Sequence, residues 1–296
     1  MTRAAIAAAL LAAFLTRAQY LMGTVCEIDA DVPADAAFAE CQRIESMLST
    51  WRDDTELSRV NRGATPGPEL AALLAITEQY KRETDGAFDP HIRALLNKWV
   101  IRKPDVIPSV VEGPARAVAR STAPAAPPGP STTLGMTELD YEEGAFGKGY
   151  AIDRMLDVLK QAGATHAVIN FGGQIGTLAS TEVTIADPKH RDHPIVVLTL
   201  QQRSLSTSST SEKPNHIIDP RSGRPVPARG SVSVIHDSAL IADILSTALY
   251  VMGRERGLEW ARAHRVTAIF IDDDSIEASA PVPGIRVLDA HFKLKD

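Results

Sequence analysis

Residues 144–173 read GAFGKGYAIDRMLDVLKQAGATHAVINFGG. From Gly149 to Gln161 the spacing predicts a helix, and Gly163 is placed to end it as a left-handed cap. The period then changes. His166 to Phe171 reads as a strand, stopped by Gly172-Gly173. A helix that hands over to a strand within thirty residues excludes an all-helical bundle and an all-β sandwich for this part of the chain.

The flanks repeat the mixture. Upstream, Leu21 to Val32 reads as a strand, and Ala34 to Ser49 as a helix with Phe38, Cys41, Ile44 and Leu48 on one face. A second helix covers Pro68 to Arg82, with Pro68 in its first turn and Asp85-Gly86 beyond its end. Downstream, strands are expected at Val183–Ile185, Ile195–Leu200 and Ser231–Ile235. Ser238 to Met252 is a helix capped by Asp237 or Ser238, Arg254 to His264 another, and Val266 to Ile271 a strand. The fold class expected is α+β, mixed α/β layers, with no internal repeat.

Composition narrows the function classes. The 296 residues are 44% apolar and 23% charged, the balance of a folded globular chain. Thirty-seven acids against 31 lysines and arginines give a net charge of −6, which disfavours a generic nucleic-acid surface. Two cysteines, Cys26 and Cys41, cannot build a disulfide framework or a four-thiolate zinc site and read as buried thiols.

Two segments stand apart from the body. Ala4 to Leu15 is an uncharged run that spans about 18 Å as a helix, short of the ~30 Å hydrocarbon core. With one positive charge before it and Thr16-Arg17-Ala18 after it, residues 1–18 read as a secretory signal peptide; the plainer alternative is an Ala-rich first helix. Residues 19–296 form the main domain. It is interrupted at 101–138, where seven of the 19 prolines fall between Pro104 and Pro130, so this stretch is expected to be a loop-like variable insertion.

Four motifs can carry chemistry. Gly144–Gly149 opens a helix, so backbone can approach a ligand closely, Lys148 can meet an anion, and free N–H groups lie at the helix start; plain turn chemistry explains the same glycines. In ADILSTAL, Asp243 and Thr247 are four apart and share a helix face. A carboxylate and a hydroxyl suit Mg²⁺, which takes few protein ligands, although an Asp near a helix N-terminus needs no metal to be favourable. In HIIDPRSG, His216 stands before a tight turn and can act as acid, base or phosphate contact, or be purely structural. In TDGAFDP, Asp89 lies in a turn that says only loop.

Taken in order, YLMGT at 20–24, LSTW at 48–51 with ELSRVN at 56–61, TDGAFDP at 84–90, GAFGKGYAID at 144–153, THAVINFGG at 165–173, HIIDPRSG at 216–223 and ADILSTAL at 242–249 resemble the FAD:protein FMN transferase family, the ApbE-type flavin transferases. The resemblance runs from about residue 20 to residue 252. It implies an ApbE-like fold and a Mg²⁺-dependent enzyme that moves the FMN half of FAD onto a Thr or Ser hydroxyl of an acceptor flavoprotein and releases AMP. It also implies a periplasmic or extracytoplasmic setting, near the inner membrane if the N-terminus stays uncleaved. Asp243 and Thr247 match the metal ligands, and Ala145 the position that offers a backbone carbonyl to the same ion. Met22, Trp51, Ala87, Phe88, Asp89, Glu142, Lys148 and Ile217 match FAD-contacting positions, and His216 matches a histidine suited to proton transfer. Trp51 or Phe88 is the aromatic expected to cover the flavin or adenine ring.

The chain departs from the family pattern in places. Trp51 stands where Tyr is frequent, Glu142-Glu143 where Asp-Leu is frequent, and Gln174 where an acid or Asn is common. The link between Ser208 and His216 is shorter than in many relatives, and the proline-rich stretch replaces ordered family sequence. Two other functions use the same residues: an FAD pyrophosphatase, with water as nucleophile, and a flavin-binding protein without catalysis.

Overall fold

A computed structural model describes residues 16–99, 140–211 and 215–295 of the chain. Most of the expected leader and the whole proline-rich stretch lie outside the described residues. The described chain starts on a hairpin. β1 (Arg17–Leu21) pairs antiparallel with β2 (Thr24–Ala30), Leu21 opposite Thr24. The single strand expected over 21–32 is thus two strands folded about Met22 and Gly23, at φ 46 and 78. A two-residue hairpin loop of this hand needs positive φ at both centres, and methionine at the first of them disguises the turn in the sequence. Arg17 and Ala18, counted with the leader, belong to β1.

α1 (Asp35–Leu48) buries the expected Phe38, Cys41, Ile44 and Leu48. α2 (Glu56–Val60) is capped by the Thr55 hydroxyl, which accepts from the Ser58 N–H. α3 (Pro68–Glu83) starts on its proline, and α4 (Arg93–Lys98) is short. A 3-10 turn (Glu143–Ala145) leads into α5 (Gly147–Gln161). Five strands follow: β3 (Ala167–Phe171), β4 (Gln174–Thr177), β5 (Ser180–Ala186), β6 (Pro194–Gln201) and β7 (Ser204–Ser209). A small hairpin, β8 (Ile218–Asp219) and β9 (Arg224–Pro225), holds the DPRSG turn. β10 (Ser231–His236) feeds α6 (Ala239–Met252), whose cap is Ser238, and then comes α7 (Arg254–Ala263). β11 (Thr267–Ile271), β12 (Ser275–Ala278), β13 (Arg286–Val287) and β14 (Lys293–Lys295) complete the described chain.

Nine strands make one sheet in the order β1-β2-β3-β4-β7-β10-β11-β12-β14, and β13-β6-β5 make a second. The expected mixed α+β layering is what forms. Alternation along β10 and β11 sorts the two faces of the large sheet. Val232 and Val234, opposite Phe270 and Ala268, join the helix-side core with Phe38, Ile152 and Leu249. Ile235, Ile269 and Ile271 point the other way and meet Ile195, Leu198 and Leu200 of the small sheet. Cys26 and Cys41 are free and buried in the helix-side core, as expected. Burial pushes the Cys26 thiol up to about 12 and raises Cys41 as well, so both remain protonated at neutral pH.

Candidate active site

Two helices define the site. α6 is almost wholly buried, yet it carries Asp243, Ser246 and Thr247 in an otherwise apolar run. It is tied to α5 at two points. Asp153 of α5 caps it: its carboxylate accepts from the Ser238 hydroxyl at 2.6 Å and from the N–H groups of Ala239 and Leu240 at 2.6 and 3.1 Å. One turn back on α5, the Gly149 N–H donates to Asp243 Oδ2 at 3.0 Å. The helices cross so closely there that a Cβ on residue 149 would lie 2.3 Å from the Ala239 carbonyl oxygen. The glycine at 149 is therefore what lets Lys148 and Asp243 approach one another. Asp153 closes the GAFGKGYAID motif, and its position four residues after Gly149 puts it on the same face.

Burial raises the pKa of both carboxylates. At Asp243, the positive charge of Lys148, the Gly149 N–H and a hydrogen bond from Ser206 oppose that rise. A buried carboxylate with one nearby lysine is a natural holder of a further cation. The donors beside it are all oxygens: Thr247 Oγ1 one turn along α6, and the Ala145 carbonyl in the 3-10 turn that packs on α6. Among the described residues no three His, Cys, Asp or Glu side chains gather for a metal. One carboxylate, a hydroxyl and a carbonyl suit a hard ion that keeps several waters, so these residues fit Mg²⁺.

The wall opposite α6 is β7. Ser208 and Ser206 pair with Val232 and Val234, so both serines face the helices. No strand was expected here, because Ser204–Ser209 lacks apolar alternation. Its helix face is given to hydroxyls instead. A cleft of about 820 Å³ lies further along α6, lined by Thr210, Arg229 and Arg254 among others; none of the expected ligands lines it.

The remaining candidates form a rim. Met22 Cε would lie 3.1 Å from a Cβ on Gly147, so the β1–β2 turn touches the start of α5. The Met22 N–H is held by Glu45 at 2.9 Å. Trp51 follows Thr50, whose hydroxyl reaches Glu143 Oε2 at 2.6 Å and Glu142 Oε2 at 3.0 Å, while its N–H donates to Glu143 Oε1 at 3.2 Å. Thr50, a residue of the LSTW motif with no role of its own in the sequence pattern, thereby ties the Trp51 turn to the acidic pair. The Glu142 N–H donates to the Pro90 carbonyl at 2.8 Å and so joins the Ala87–Asp89 turn to the same rim.

Within that turn Ala87 and Phe88 are buried in the helix-side core. Asp89 is gripped by Lys81 at 2.9 Å, and His91 and Lys81 hold its carboxyl below the usual range against the effect of burial. Of the two aromatics expected to cover a ring, Phe88 is enclosed and Trp51 is exposed. His216 and the buried Ile217 lead into the β8–β9 hairpin, where the Val226 N–H donates to the Ile217 carbonyl at 2.9 Å. Arg221 of that hairpin approaches Gly86, and the Trp99 indole N–H donates to the Gly223 carbonyl at 2.9 Å. The structure thus gathers Ala145, Lys148, Asp243 and Thr247 about the α5–α6 crossing. It brings Met22, Trp51 and Glu142 together as one rim and sets the β8–β9 hairpin, which His216 and Ile217 lead into, beside the turn that holds Ala87–Asp89.

The family model described as "ApbE family" matches residues 22–270. The chain belongs to the ApbE family. The ApbE match contains every candidate site residue, from Met22 to Thr247. The FAD:protein FMN transferase of Vibrio cholerae is 28% identical over 255 residues, 78% of this chain and 76% of that protein. The FAD:protein FMN transferase of Treponema pallidum is 28% identical over 329 aligned positions, 95% and 91% of the two chains. Among solved structures, the flavin transferase ApbE from Vibrio cholerae superposes with a TM-score of 0.68 at 21% identity, covering 95% of this chain and 98% of the other. The apo form of the Pseudomonas stutzeri flavinyl transferase ApbE gives 0.69 at 22%, covering 88% and 93%. At that identity the structural likeness is one of fold.

Proposed function

We propose that the protein is an FAD:protein FMN transferase that uses Mg²⁺ and a Thr or Ser hydroxyl on an acceptor flavoprotein. The observation that carries this reading is the buried Asp243 carboxylate, with the half-buried Thr247 hydroxyl one turn on and Lys148 beside it, where α5 and α6 cross in a chain of the ApbE family. In the reaction, the acceptor hydroxyl oxygen attacks the FMN phosphorus of FAD. The pyrophosphate bond to the AMP phosphate breaks, the hydroxyl proton leaves, and AMP departs with the bridging oxygen. When bound, Mg²⁺ supplies positive charge to the pyrophosphate oxygens as that bond breaks.

The chain's own residues do the rest. Asp243, Thr247 and the Ala145 carbonyl hold the ion, and Lys148 meets the phosphate charge. An acidic chain needs this local positive charge to hold a pyrophosphate. Trp51, Met22 and the tied Glu142 turn orient the flavin end, with Ala87–Asp89 and Ile217 as further contacts. His216 takes the acceptor proton. Residues 1–18 direct the chain to an extracytoplasmic setting, or hold it near the inner membrane if uncleaved. Mass spectrometry of the secreted protein for a new N-terminus at Gln19 checks this.

Incubation with FAD, Mg²⁺ and an acceptor protein should give a fluorescent flavin band that survives a denaturing gel, with one AMP per label. AMP without any label would replace transfer by FAD hydrolysis. FAD binding with neither product would reduce the protein to a flavin binder.

A further inference from the structure

The β7 serines have no place in the reaction as drawn, yet they lie under both proposed metal ligands. The fixed point is Ser246, a fully buried hydroxyl that donates to the Asp243 backbone carbonyl at 3.1 Å. A serine has one proton. With that proton spent on the carbonyl, Ser246 can only accept from Ser208, 2.9 Å away. Ser208 then has no proton left for Thr247, 3.4 Å away, and must accept from it. The chain of donors is set in one direction: Thr247 to Ser208, Ser208 to Ser246, Ser246 to the α6 carbonyl. It turns the Thr247 proton toward β7 and leaves the lone pairs of Thr247 for a cation. Ser206, 3.2 Å from Ser246, meets the same acceptor from the other side.

We infer that Ser208 is a positioning residue that fixes the direction of the Thr247 hydroxyl, and with it the affinity of the site for a divalent cation. The inference rests on the assignment of Asp243 and Thr247 as metal ligands. Partners of metal ligands that set their orientation typically change metal affinity by about 10- to 100-fold when removed.

The test uses the full-length protein without FAD and Mn²⁺ as the probe, with free Mn²⁺ followed by electron paramagnetic resonance. Ser208→Thr keeps a hydroxyl, while Ser208→Val has the same shape without one. The threonine variant should bind Mn²⁺ within about threefold of wild type, and the valine variant at least about tenfold more weakly. Equal affinities for the two variants would overturn the inference. Should Ser208→Val not fold, Ser246→Ala serves in its place. It frees the Ser208 proton to point at Thr247, so Mn²⁺ binding should weaken, and wild-type affinity would overturn the proposal. Asp243→Asn separates the two levels. If it binds Mn²⁺ like wild type, the metal-ligand assignment fails. If it loses Mn²⁺ while Ser208→Val keeps it, only the role of Ser208 fails.

Discussion

The two faces of the nine-stranded sheet are built to different rules. On the face toward the small sheet, Leu205, Ile235, Ile269 and Ile271 meet Ile195, Leu198 and Leu200 in an apolar cluster, and the hydroxyls of Thr207 and Ser233 on that face pair with each other at 2.8 Å. On the helix face the same β7 offers Ser206 and Ser208, and α6 answers with Asp243, Ser246 and Thr247. One layer gains stability from dispersion and from water exclusion. The other gives up part of that gain to keep a buried carboxylate and a row of hydroxyls oriented, which is where a phosphoryl-transfer site obtains its field.

Four substitutions probe this contrast. The largest effect belongs to Asp243→Asn. Flavin labelling of an acceptor should fall below about one hundredth of wild type, because even outer partners of metal ligands cost up to 100-fold. Meanwhile the thermal midpoint of the metal-free protein should hold or rise, since a desolvated charge is gone. A clear drop in midpoint would place Asp243 with the stabilising residues and erase the contrast. Leu198→Ala on the other face should do the reverse. It should cost about 2–5 kcal/mol by denaturant titration and leave labelling intact below the melting range. Loss of labelling at full folding would show that the two layers are coupled.

Gly149→Ala joins both properties. The new Cβ has no room at the Ala239 carbonyl, so α5 and α6 must part. Stability should drop by about 1–3 kcal/mol, and Mn²⁺ affinity should drop with it. A fully stable variant would mean that the crossing is softer than its geometry implies. Trp51→Ala acts at the rim alone. With 61% of its surface exposed, it should leave the melting curve unchanged. Loss of an aromatic contact worth about 0.5–1.5 kcal/mol should weaken FAD binding about 2- to 12-fold in a fluorescence titration. Unchanged binding would remove Trp51 from the flavin contacts.

Much of this was legible in the sequence where the physics is local. α1 and α5 come within two residues of their expected bounds because their apolar spacing and flanking residues act within a turn or two. The α6 cap settles on Ser238, whose hydroxyl accepts from the Ile241 N–H at 3.3 Å. The β1–β2 turn was hidden by a methionine at positive φ. β7 was hidden because its buried face is polar, and period-2 reading depends on an apolar face. The roles of Thr50 and Asp153 are hidden for a different reason: their partners, Glu142 and Glu143 for one and the start of α6 for the other, lie 85 or more residues away.

The sequence by itself determined the mixed layering, the five longer helices, the order of the motifs and hence the family. These depend on periodicity and on short-range hydrogen-bonding capacity. The tertiary structure alone decided that Phe88 is enclosed while Trp51 is exposed, that Gly149 admits Asp243 to the start of α5, and that a row of serines stands behind the proposed metal ligands. Those outcomes depend on which distant segments share a few ångströms of space. A single chain's pattern does not encode that distance until the sheet brings α5, α6 and β7 together.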